Sequence, residues 1–192
     1  KRRTRMKERA KQQILVGGVG GQGVLFVTSL LAEAAIRKGL PVFTSETHGM
    51  AQRGGTVVSH LKVGSFSSPM IRPGHGNVLL ALKPESIADH EAFLGSDSWI
   101  IANRPTPGKP IRGRQLFALD ADETAKKIGN PKSANLVLLG FALAQDPRTR
   151  KGGQRLCCSI EDLKSVLEER RAGREGMREA CIRAVEAGHR AE

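Results

Sequence analysis

The residues of this sequence that could do chemistry lie in two short glycine-bearing segments. The first runs from Gly17 to Gly23, after the apolar residues 14–16, and it contains the G-x-G-x-x-G spacing at Gly18, Gly20 and Gly23. Glycines at this spacing allow a tight turn and the close approach of a phosphate or a partner backbone. An amphipathic pattern follows, and the helix it predicts would point its free N–H groups at any ligand over the loop. The segment therefore predicts either an anion or cofactor contact or a tight turn that binds nothing.

The second segment, residues 47–55, is polar and fits neither a helical nor a strand period, so it is predicted to be a loop. Its Arg53 could contact a phosphate or carboxylate through two hydrogen bonds, or it could pair with Glu46 across the loop. Glu46 stands about 20 residues past the glycine loop, where a dinucleotide-binding fold places the acid that binds ribose. His48 is the better candidate for acid–base chemistry among the histidines, because it lies in this loop beside Gln52.

No catalytic or metal-binding constellation follows from the remaining residues. The histidines are scattered without an H-E-x-x-H motif, and His60, in an alternating strand pattern, is interpreted as a structural residue. The three cysteines form no C-x-x-C pair and no four-ligand set. We therefore assign no catalytic residue and no metal ligand to this chain. The candidate site, described as facing an active site or cofactor, comprises Gly18, Gly20, Gly21, Gln22, Gly23, Glu46, His48, Gln52, Arg53, Gly54 and Gly55.

The elements that must position these residues alternate between strand and helix. This alternation predicts a Rossmann-like three-layer α/β/α fold with a mostly parallel sheet. Capping residues are expected at Gly39, Asp120, Ser133 and, as a capping box, at Ser159 with Asp162. The predicted strands are residues 13–17, 40–45, 56–63, 77–82, 98–103 and 115–119, and the predicted helices are 24–38, 84–94, 121–128, 134–145 and a last one after 159.

Length and composition favour one domain. The chain has 192 residues, 39% of them hydrophobic, which is enough to bury a core. We expect a basic, flexible tail at 1–12 and a single domain at 13–192 that ends in a basic helical segment at 159–187. The helix at 134–145 is apolar all round, which predicts burial within this domain or against another subunit. No apolar run approaches a membrane span or a signal peptide, so a cytoplasmic location is expected.

The formal net charge of +12 raises the question of nucleic-acid binding. Much of the excess lies in Lys1 to Lys11, with seven basic residues and one acid, and in Arg148 to Arg155. The chain has no tyrosine and only 4% aromatic residues for stacking on bases. A solvated basic tail therefore explains the charge better than a nucleic-acid partner does.

The two segments together resemble a known family. The run Gly18-Val19-Gly20-Gly21-Gln22-Gly23, followed by the run from Ser45 to His60, is similar to the gamma-type subunit or domain of the 2-oxoacid:ferredoxin oxidoreductases. Its His-Gly-Met-Ala-Gln-Arg-Gly-Gly form most resembles the small beta subunit of the indolepyruvate type. The resemblance covers about Ile14 to Ala144 and includes 68–71, 77–81 and 134–135, whereas the arginine-rich ends carry little of it.

The resemblance implies a subunit of a complex that oxidatively decarboxylates a 2-oxoacid on thiamine diphosphate, transfers electrons through iron–sulfur clusters to ferredoxin, and makes an acyl-CoA. Thiamine diphosphate, Mg²⁺ and the clusters would belong to larger partner subunits. This chain would help close the active site, would be inactive alone, and could form a homodimer when isolated. A stand-alone nucleotide-binding Rossmann-type module or dehydrogenase remains the alternative.

Overall fold

The computed structural model describes residues 11–48, 55–104, 114–147, 154–170 and 174–191, with His48 described by its backbone alone. A six-stranded sheet forms the centre of the molecule. Its strands are β1 (Gln12–Val19), β2 (Val42–His48), β3 (Thr56–Val63), β4 (Gly76–Ala81), β5 (Leu94–Asn103) and β6 (Gln115–Leu119). They lie in the order β2-β3-β1-β4-β5-β6.

Six α-helices in the described residues connect and cover the strands. They are α1 (Val24–Arg37), α2 (Ser86–His90), α3 (Ala121–Lys127), α4 (Ala134–Ala144), α5 (Ile160–Arg170) and α6 (Glu175–His189). One 3₁₀ turn, Glu91–Phe93, leads into β5, and another, Pro131–Ser133, precedes α4. The predicted α/β class with a mostly parallel sheet is confirmed, because β1 pairs in parallel with β4, β4 with β5, and β5 with β6.

The third strand departs from a doubly wound sheet. β3 lies between β1 and β2 and is antiparallel to both. Its bounds are those predicted from alternation, and Thr56 is its only exposed residue. A strand inserted next to β1 pushes β2 to the edge of the sheet. β1 and β2 are therefore parallel to each other and connected by α1, but β3 lies between them.

Several elements begin or end at residues other than those predicted. β1 begins at Gln12, which sequence analysis assigned to the tail, because Gln12 pairs with Val63 and its amide is held by the backbone of Arg155 and Cys157. β5 begins at Leu94, so the helix predicted for 84–94 shortens to α2 and one 3₁₀ turn. The predicted basic helical segment 159–187 is divided into α5 and α6, and α6 continues to His189.

Three of the four predicted caps are confirmed. Gly39, with φ +73, donates its N–H to the Ile36 carbonyl at the end of α1, and Asp120 accepts from the N–H of Glu123. Ser159 and Asp162 exchange the two hydrogen bonds of a capping box. Ser133 does not cap α4. The preceding 3₁₀ turn takes its backbone out of the extended region, and its hydroxyl donates to the Asn130 carbonyl instead.

The two faces of the sheet are covered unequally. On the first face, α1, α3, α4, α5 and α6 pack over Ile14, Val16, Leu80 and Trp99 in a continuous core. The second face has a smaller core that includes Leu15, Leu79 and Ile100, and α2 alone among the described helices contributes to it. The three layers are therefore present, but the second is thin.

Helices α4 and α6 cross at very short range. A Cβ added at Gly140 of α4 would overlap the Val185 carbonyl oxygen of α6, and a Cβ added at Gly188 of α6 would overlap the Val137 carbonyl oxygen of α4. The reciprocal glycines let the two backbones touch, which buries the apolar circumference of α4 within this chain. None of the helices in the described ranges is long and apolar enough to cross a membrane.

Candidate functional site

The glycine loop after β1 is shaped by its own residues. Gly21 and Gly23 adopt φ values of +92 and +79, which side chains rarely tolerate. The Gln22 side chain folds back, and its Oε1 accepts from the Val19 N–H at 2.9 Å. A Cβ at Gly18 would come within 2.8 Å of that oxygen. The Gly18 and Gly23 positions are therefore explained by close packing and turn geometry.

The two glycine-bearing segments meet at the same edge of the sheet. Gly20 donates its N–H to the Gly55 carbonyl at 3.1 Å. This bond continues the ladder of β1 and β3, in which Val19 pairs with Thr56, while the last residue of β2, His48, pairs with Val57. The loop after β1 and the end of the second segment are thus one connected backbone structure.

A cleft of about 470 Å³ opens beside this structure. It lies where the carboxyl ends of β1, β4 and β5 meet the start of α4, and β1 and β4 flank the point at which successive connections turn to opposite sides of the sheet. Open α/β sheets bind ligands at such a point. The lining residues are Gly21, Gln22, Leu82, Asn103, Asp122, Pro131, Lys132, Ala134, Asn135 and Leu138.

One wall of the cleft is organised by Asn103, a buried residue at the end of β5. Its Nδ2 donates to the Asp122 carboxylate at 2.6 Å, and its Oδ1 accepts from the Ala121 N–H at 2.9 Å. The side-chain amide therefore joins the strand end to the first turn of α3 and fixes the carboxylate at the cleft.

The opposite wall is organised by Gly23 and Asn135. A Cβ at Gly23 would overlap the Asn135 amide nitrogen, so the glycine admits this side chain against the start of α1. The Asn135 Oδ1 accepts from the Leu136 N–H at 2.9 Å. The third glycine of the motif thus allows the starts of α1 and α4 to pack closely. In dinucleotide-binding folds the same glycine allows a helix to pack closely against a strand.

The cleft combines attraction for anions with one fixed negative group. The starts of α1 and α4 both border it, and helix starts carry partial positive charge from their N–H groups. Lys132 adds a cation, whereas Asp122 adds a carboxylate on the wall of α3. This arrangement suits a polar ligand that carries phosphate or carboxylate at one end.

The predicted site residues fall into three groups: those at the cleft, those on β2, and those outside the described residues. Gly21 and Gln22 line the cleft, and Gly18, Gly20, Gly23 and Gly55 build its support. Glu46 is exposed within β2 and pairs with Ser59, two strands away from the glycine loop. His48 is placed by its backbone at the end of β2. Gln52, Arg53 and Gly54 lie outside the described residues.

Four polar residues of the cleft were missed as site candidates: Asn103, Asp122, Lys132 and Asn135. The sequence contained a signal for the first two residues. Asn103 is the last residue of the predicted strand 98–103, and Asp122 lies in the first turn of the predicted helix 121–128, which follows the next strand. Carboxyl ends of parallel strands converge at one edge, but strand order was needed to bring them to the glycine loop.

The sheet order argues against a dinucleotide site of the usual form. That site requires β2 beside β1, so that an acid at the end of β2 reaches the ribose of a ligand on the glycine loop. Here β3 separates them, and β2 continues past Glu46 to His48.

Two buried histidines lie on the second face, away from the cleft. The Nδ1 of His60 accepts from the Ile71 N–H at 3.3 Å, and its ring contacts Phe93 edge-on. Burial lowers the pKa of His60, and the nearby His90 and Lys62 lower it further. Burial also lowers the pKa of His90, whose buried Nε2 has no hydrogen-bond partner among the described residues. His60 is thus hydrogen-bonded and packed, as its structural interpretation predicted.

The cysteines and acids do not assemble into a metal site in the part of the chain that the structure describes. Cys158 and Cys181 are buried, and Cys157 is half-buried. Among the described residues, no three His, Cys, Asp or Glu side chains converge to hold an ion.

Comparison with known proteins identifies the family. A model of the pyruvate ferredoxin/flavodoxin oxidoreductase family matches residues 13–191. The chain belongs to this family. Indolepyruvate oxidoreductase subunit IorB from Archaeoglobus fulgidus is 35% identical over 148 residues, which are 67% of this chain and 74% of that protein. IorB from Methanothermobacter thermautotrophicus is 32% identical over 68% of this chain and 77% of that protein.

Solved structures agree with the fold of this oxidoreductase chain. The gamma subunit of a keto/oxoacid ferredoxin oxidoreductase from Geobacter sulfurreducens superposes with a TM-score of 0.73 at 26% identity, covering 93% of this chain and 96% of that one. A 2-oxoglutarate:ferredoxin oxidoreductase from Magnetococcus marinus, solved with 2-oxoglutarate, coenzyme A and succinyl-CoA, has a TM-score of 0.76 at 21% identity and covers 93% and 30%. The resemblance seen in the glycine-bearing motifs is confirmed, and the chain is a small subunit of the 2-oxoacid:ferredoxin oxidoreductase class.

Proposed function

We propose that this chain completes the active site of a heteromeric indolepyruvate-type oxidoreductase by binding the CoA co-substrate in the cleft between α1 and α4. Larger partner subunits would carry thiamine diphosphate, Mg²⁺ and the iron–sulfur clusters, decarboxylate the 2-oxoacid, and reduce ferredoxin. The IorB relatives support the indolepyruvate type of substrate. A cytoplasmic location and a homodimer of the isolated chain remain predictions from the sequence.

The observation that carries this proposal is the cleft at the joined glycine loops. CoA contains several phosphates, and the cleft offers two helix starts and Lys132 to such groups. Its other polar side chains are engaged in holding the walls, because Asn103 bonds to Asp122 and Asn135 bonds to the backbone. Such groups bind and orient a ligand, so the chemistry is left to the partner subunits.

The described residues do not fit the cofactors assigned to the partners. An iron–sulfur cluster needs converging thiolates, and the described cysteines are not grouped with further ligands. Mg²⁺ bound to a diphosphate needs grouped oxygen ligands, and Asp122 of the cleft is held by Asn103 without a second carboxylate in the described lining. No step of the proposal therefore passes through these groups in this chain.

Assembly is the first test. The chain should be co-expressed with a candidate larger subunit, purified without oxygen, and assayed for thiamine diphosphate, visible absorbance and CoA-dependent reduction of ferredoxin by indolepyruvate. A brown, active complex that contains this chain is expected. A larger subunit that is fully active without this chain would contradict the proposal.

The cleft is tested within that complex by Lys132→Ala. Loss of one charge-assisted contact to a phosphate should raise the KM for CoA about three- to tenfold and leave the KM for the 2-oxoacid unchanged. Lys127→Ala, at an exposed position near the end of α3, is the matched control and should change neither constant. A Lys132→Ala enzyme with an unchanged KM for CoA would remove CoA from the cleft.

The alternative function, a stand-alone nucleotide-binding module, predicts that the isolated chain binds a nucleotide without a partner subunit. NAD or AMP would then raise the melting temperature of the isolated chain, since a ligand that binds only the folded state stabilises it. We expect no such increase, because Glu46 lies two strands from the glycine loop.

A further inference from the structure

Two side-chain amides of the cleft have their orientation fixed by backbone N–H groups. The Oε1 of Gln22 accepts from the Val19 N–H at 2.9 Å. The Oδ1 of Asn135 accepts from the Leu136 N–H, also at 2.9 Å. A backbone N–H can only donate, so the atom that faces it must be the amide oxygen. Each amide therefore holds its wall of the cleft through the oxygen, and its NH₂ group is left for a different partner.

These NH₂ groups remain available to a ligand. Among the described residues, neither the Gln22 Nε2 nor the Asn135 Nδ2 has a hydrogen-bond partner. Neither nitrogen is a buried unsatisfied atom, so both are open to solvent. Both residues line the cleft, and an amide nitrogen can donate both of its hydrogens. The amides thus offer hydrogen-bond donors, and no free acceptor, to a ligand in the cleft.

The two amides lie on either side of Gly23. Gln22 precedes this glycine in the chain, and a Cβ added at Gly23 would overlap the Asn135 Nδ2. No side chain caps the start of α1 at Gly23, so the first N–H groups of this helix add further donors. Lys132 supplies a cation in the same cleft. This side of the cleft is therefore suited to a ligand group that only accepts hydrogen bonds.

The fixed acceptor of the cleft lies on the wall formed by α3. The Asp122 carboxylate is held there by the Asn103 Nδ2 at 2.6 Å. A ligand phosphate accepts hydrogen bonds and is repelled by a carboxylate, whereas amide and ammonium donors attract it. The phosphate is therefore favoured beside Gln22 and Asn135 and disfavoured beside Asp122. Such an unequal pair of walls would fix the direction in which a ligand lies.

We propose that Gln22 and Asn135, the amide pair, donate hydrogen bonds to a phosphate group of CoA and set the orientation of CoA in the cleft. This inference rests on the proposed function, because it requires CoA in the cleft. A phosphate is favoured over the 2-oxoacid carboxylate since donors come from the amides, the start of α1 and Lys132, and a phosphate offers more acceptor oxygens. The phosphate is either the 3′-phosphate or the diphosphate of CoA, and the test separates them.

Each amide can be changed at its nitrogen alone. Gln22→Glu and Asn135→Asp keep an oxygen for the backbone N–H and replace the NH₂ donor by a second carboxylate oxygen. Asn77→Asp is the matched control. The Asn77 Oδ1 also accepts from a backbone N–H, that of Gln13, but it lies at the amino end of β4, the opposite end from the cleft.

The variants are assayed in the assembled complex with CoA and with dephospho-CoA, which lacks the 3′-phosphate. Each amide variant should raise the KM for CoA at least about tenfold, because a hydrogen bond to a charged group is lost. The KM for the 2-oxoacid should stay unchanged, and Asn77→Asp should change neither constant. An increase with CoA alone assigns the pair to the 3′-phosphate, and an increase with both co-substrates assigns it to the diphosphate.

Two further measurements separate a lost contact from other effects of the new charge. Repulsion through solvent is screened by salt, so the increase in KM relative to the wild type should persist at about 0.5 M KCl if a direct contact is lost. Each free variant chain should melt at or above the temperature of the wild type. The variants keep their structural hydrogen bonds and place a negative charge near a helix start, where it is favourable.

Three results would overturn the amide pair. If both variants keep the KM for CoA and Lys132→Ala still raises it, CoA lies in the cleft away from the amides. An increase in KM that disappears at high salt would reduce the effect to charge repulsion. Variants that melt earlier and assemble poorly would make the amides purely structural. If Lys132→Ala and both amide variants leave the KM for CoA unchanged, the proposed function fails together with the amide pair.

Discussion

Asn103 shows how a single residue shapes the cleft. It is buried at the end of β5 and makes two hydrogen bonds of opposite sense, one to the Asp122 carboxylate and one from the Ala121 N–H. Only a side chain with both a donor and an acceptor can make both bonds at once. The residue type is therefore dictated by the junction of β5 and α3.

The hydrogen bond from the Asn103 amide to the Asp122 carboxylate can be tested by exchanging the donor and the acceptor. Asn103→Asp would set two carboxylates against each other and should lower the free energy of unfolding by about 2 kcal/mol at pH 7.5. Asp122→Asn in the same chain restores a donor opposite an acceptor and should recover more than half of that loss. Urea unfolding of the two single variants and the double variant gives the coupling energy. A coupling energy near zero would show that the two side chains do not bond.

At the scale of elements, the crossing of α4 and α6 depends on two glycines. Alanine usually stabilises a helix interior by about 1 kcal/mol relative to glycine. At Gly140 and Gly188 the added methyl would overlap a backbone carbonyl of the other helix, which cannot rotate away. At both positions, the steric overlap of an alanine methyl group with the other helix therefore outweighs the higher helix propensity of alanine.

We expect Gly140→Ala and Gly188→Ala each to lower the free energy of unfolding by about 2 kcal/mol or more, because the helices must separate. Gly176→Ala is the internal control. It lies on α6 with nothing within 4 Å of an added Cβ, so it should stabilise the chain by about 0.5–1 kcal/mol. Equal effects at Gly176 and Gly188 in thermal or urea unfolding would disprove the close crossing.

At the scale of the whole molecule, the unequal faces give the protein a dependence on pH. His60 and His90 are buried under the thin layer, and the pKa of each is lowered chiefly by burial. An unfolded histidine binds a proton at about pH 6.5, whereas burial disfavours the protonated ring of these two in the folded chain. The unfolded state then binds more protons, so stability falls as pH falls.

The free energy of unfolding should be nearly constant from pH 8 to 7 and then decrease below about pH 6.5, by up to about 1.4 kcal/mol per pH unit for each histidine. The decrease ends where the folded histidines protonate. Urea unfolding between pH 8 and 5 measures it. His60→Gln, which keeps an acceptor for the Ile71 N–H, should reduce the slope, whereas His75→Gln at an exposed position should not. A flat profile down to pH 5.5 would contradict buried neutral rings.

The amino-acid sequence by itself determined the local structure and the family. Alternation predicted the bounds of β3, a glycine signal predicted the end of α1, and a capping box predicted the start of α5. The long glycine-bearing motifs pointed to the oxidoreductase family. These features depend on neighbours in the chain, through hydrophobic period and backbone hydrogen bonds, so a linear pattern contains them.

Tertiary structure alone decided how these parts are combined. The place of β3 beside β1, the junction of Asn103 with α3, and the carbonyl contacts of Gly140 and Gly188 each involve residues distant in sequence. Alternation shows which side chains of a strand share a face, but it does not show which strand lies next to it. The polar cleft follows from that strand order, and so it appeared only once the sheet was assembled.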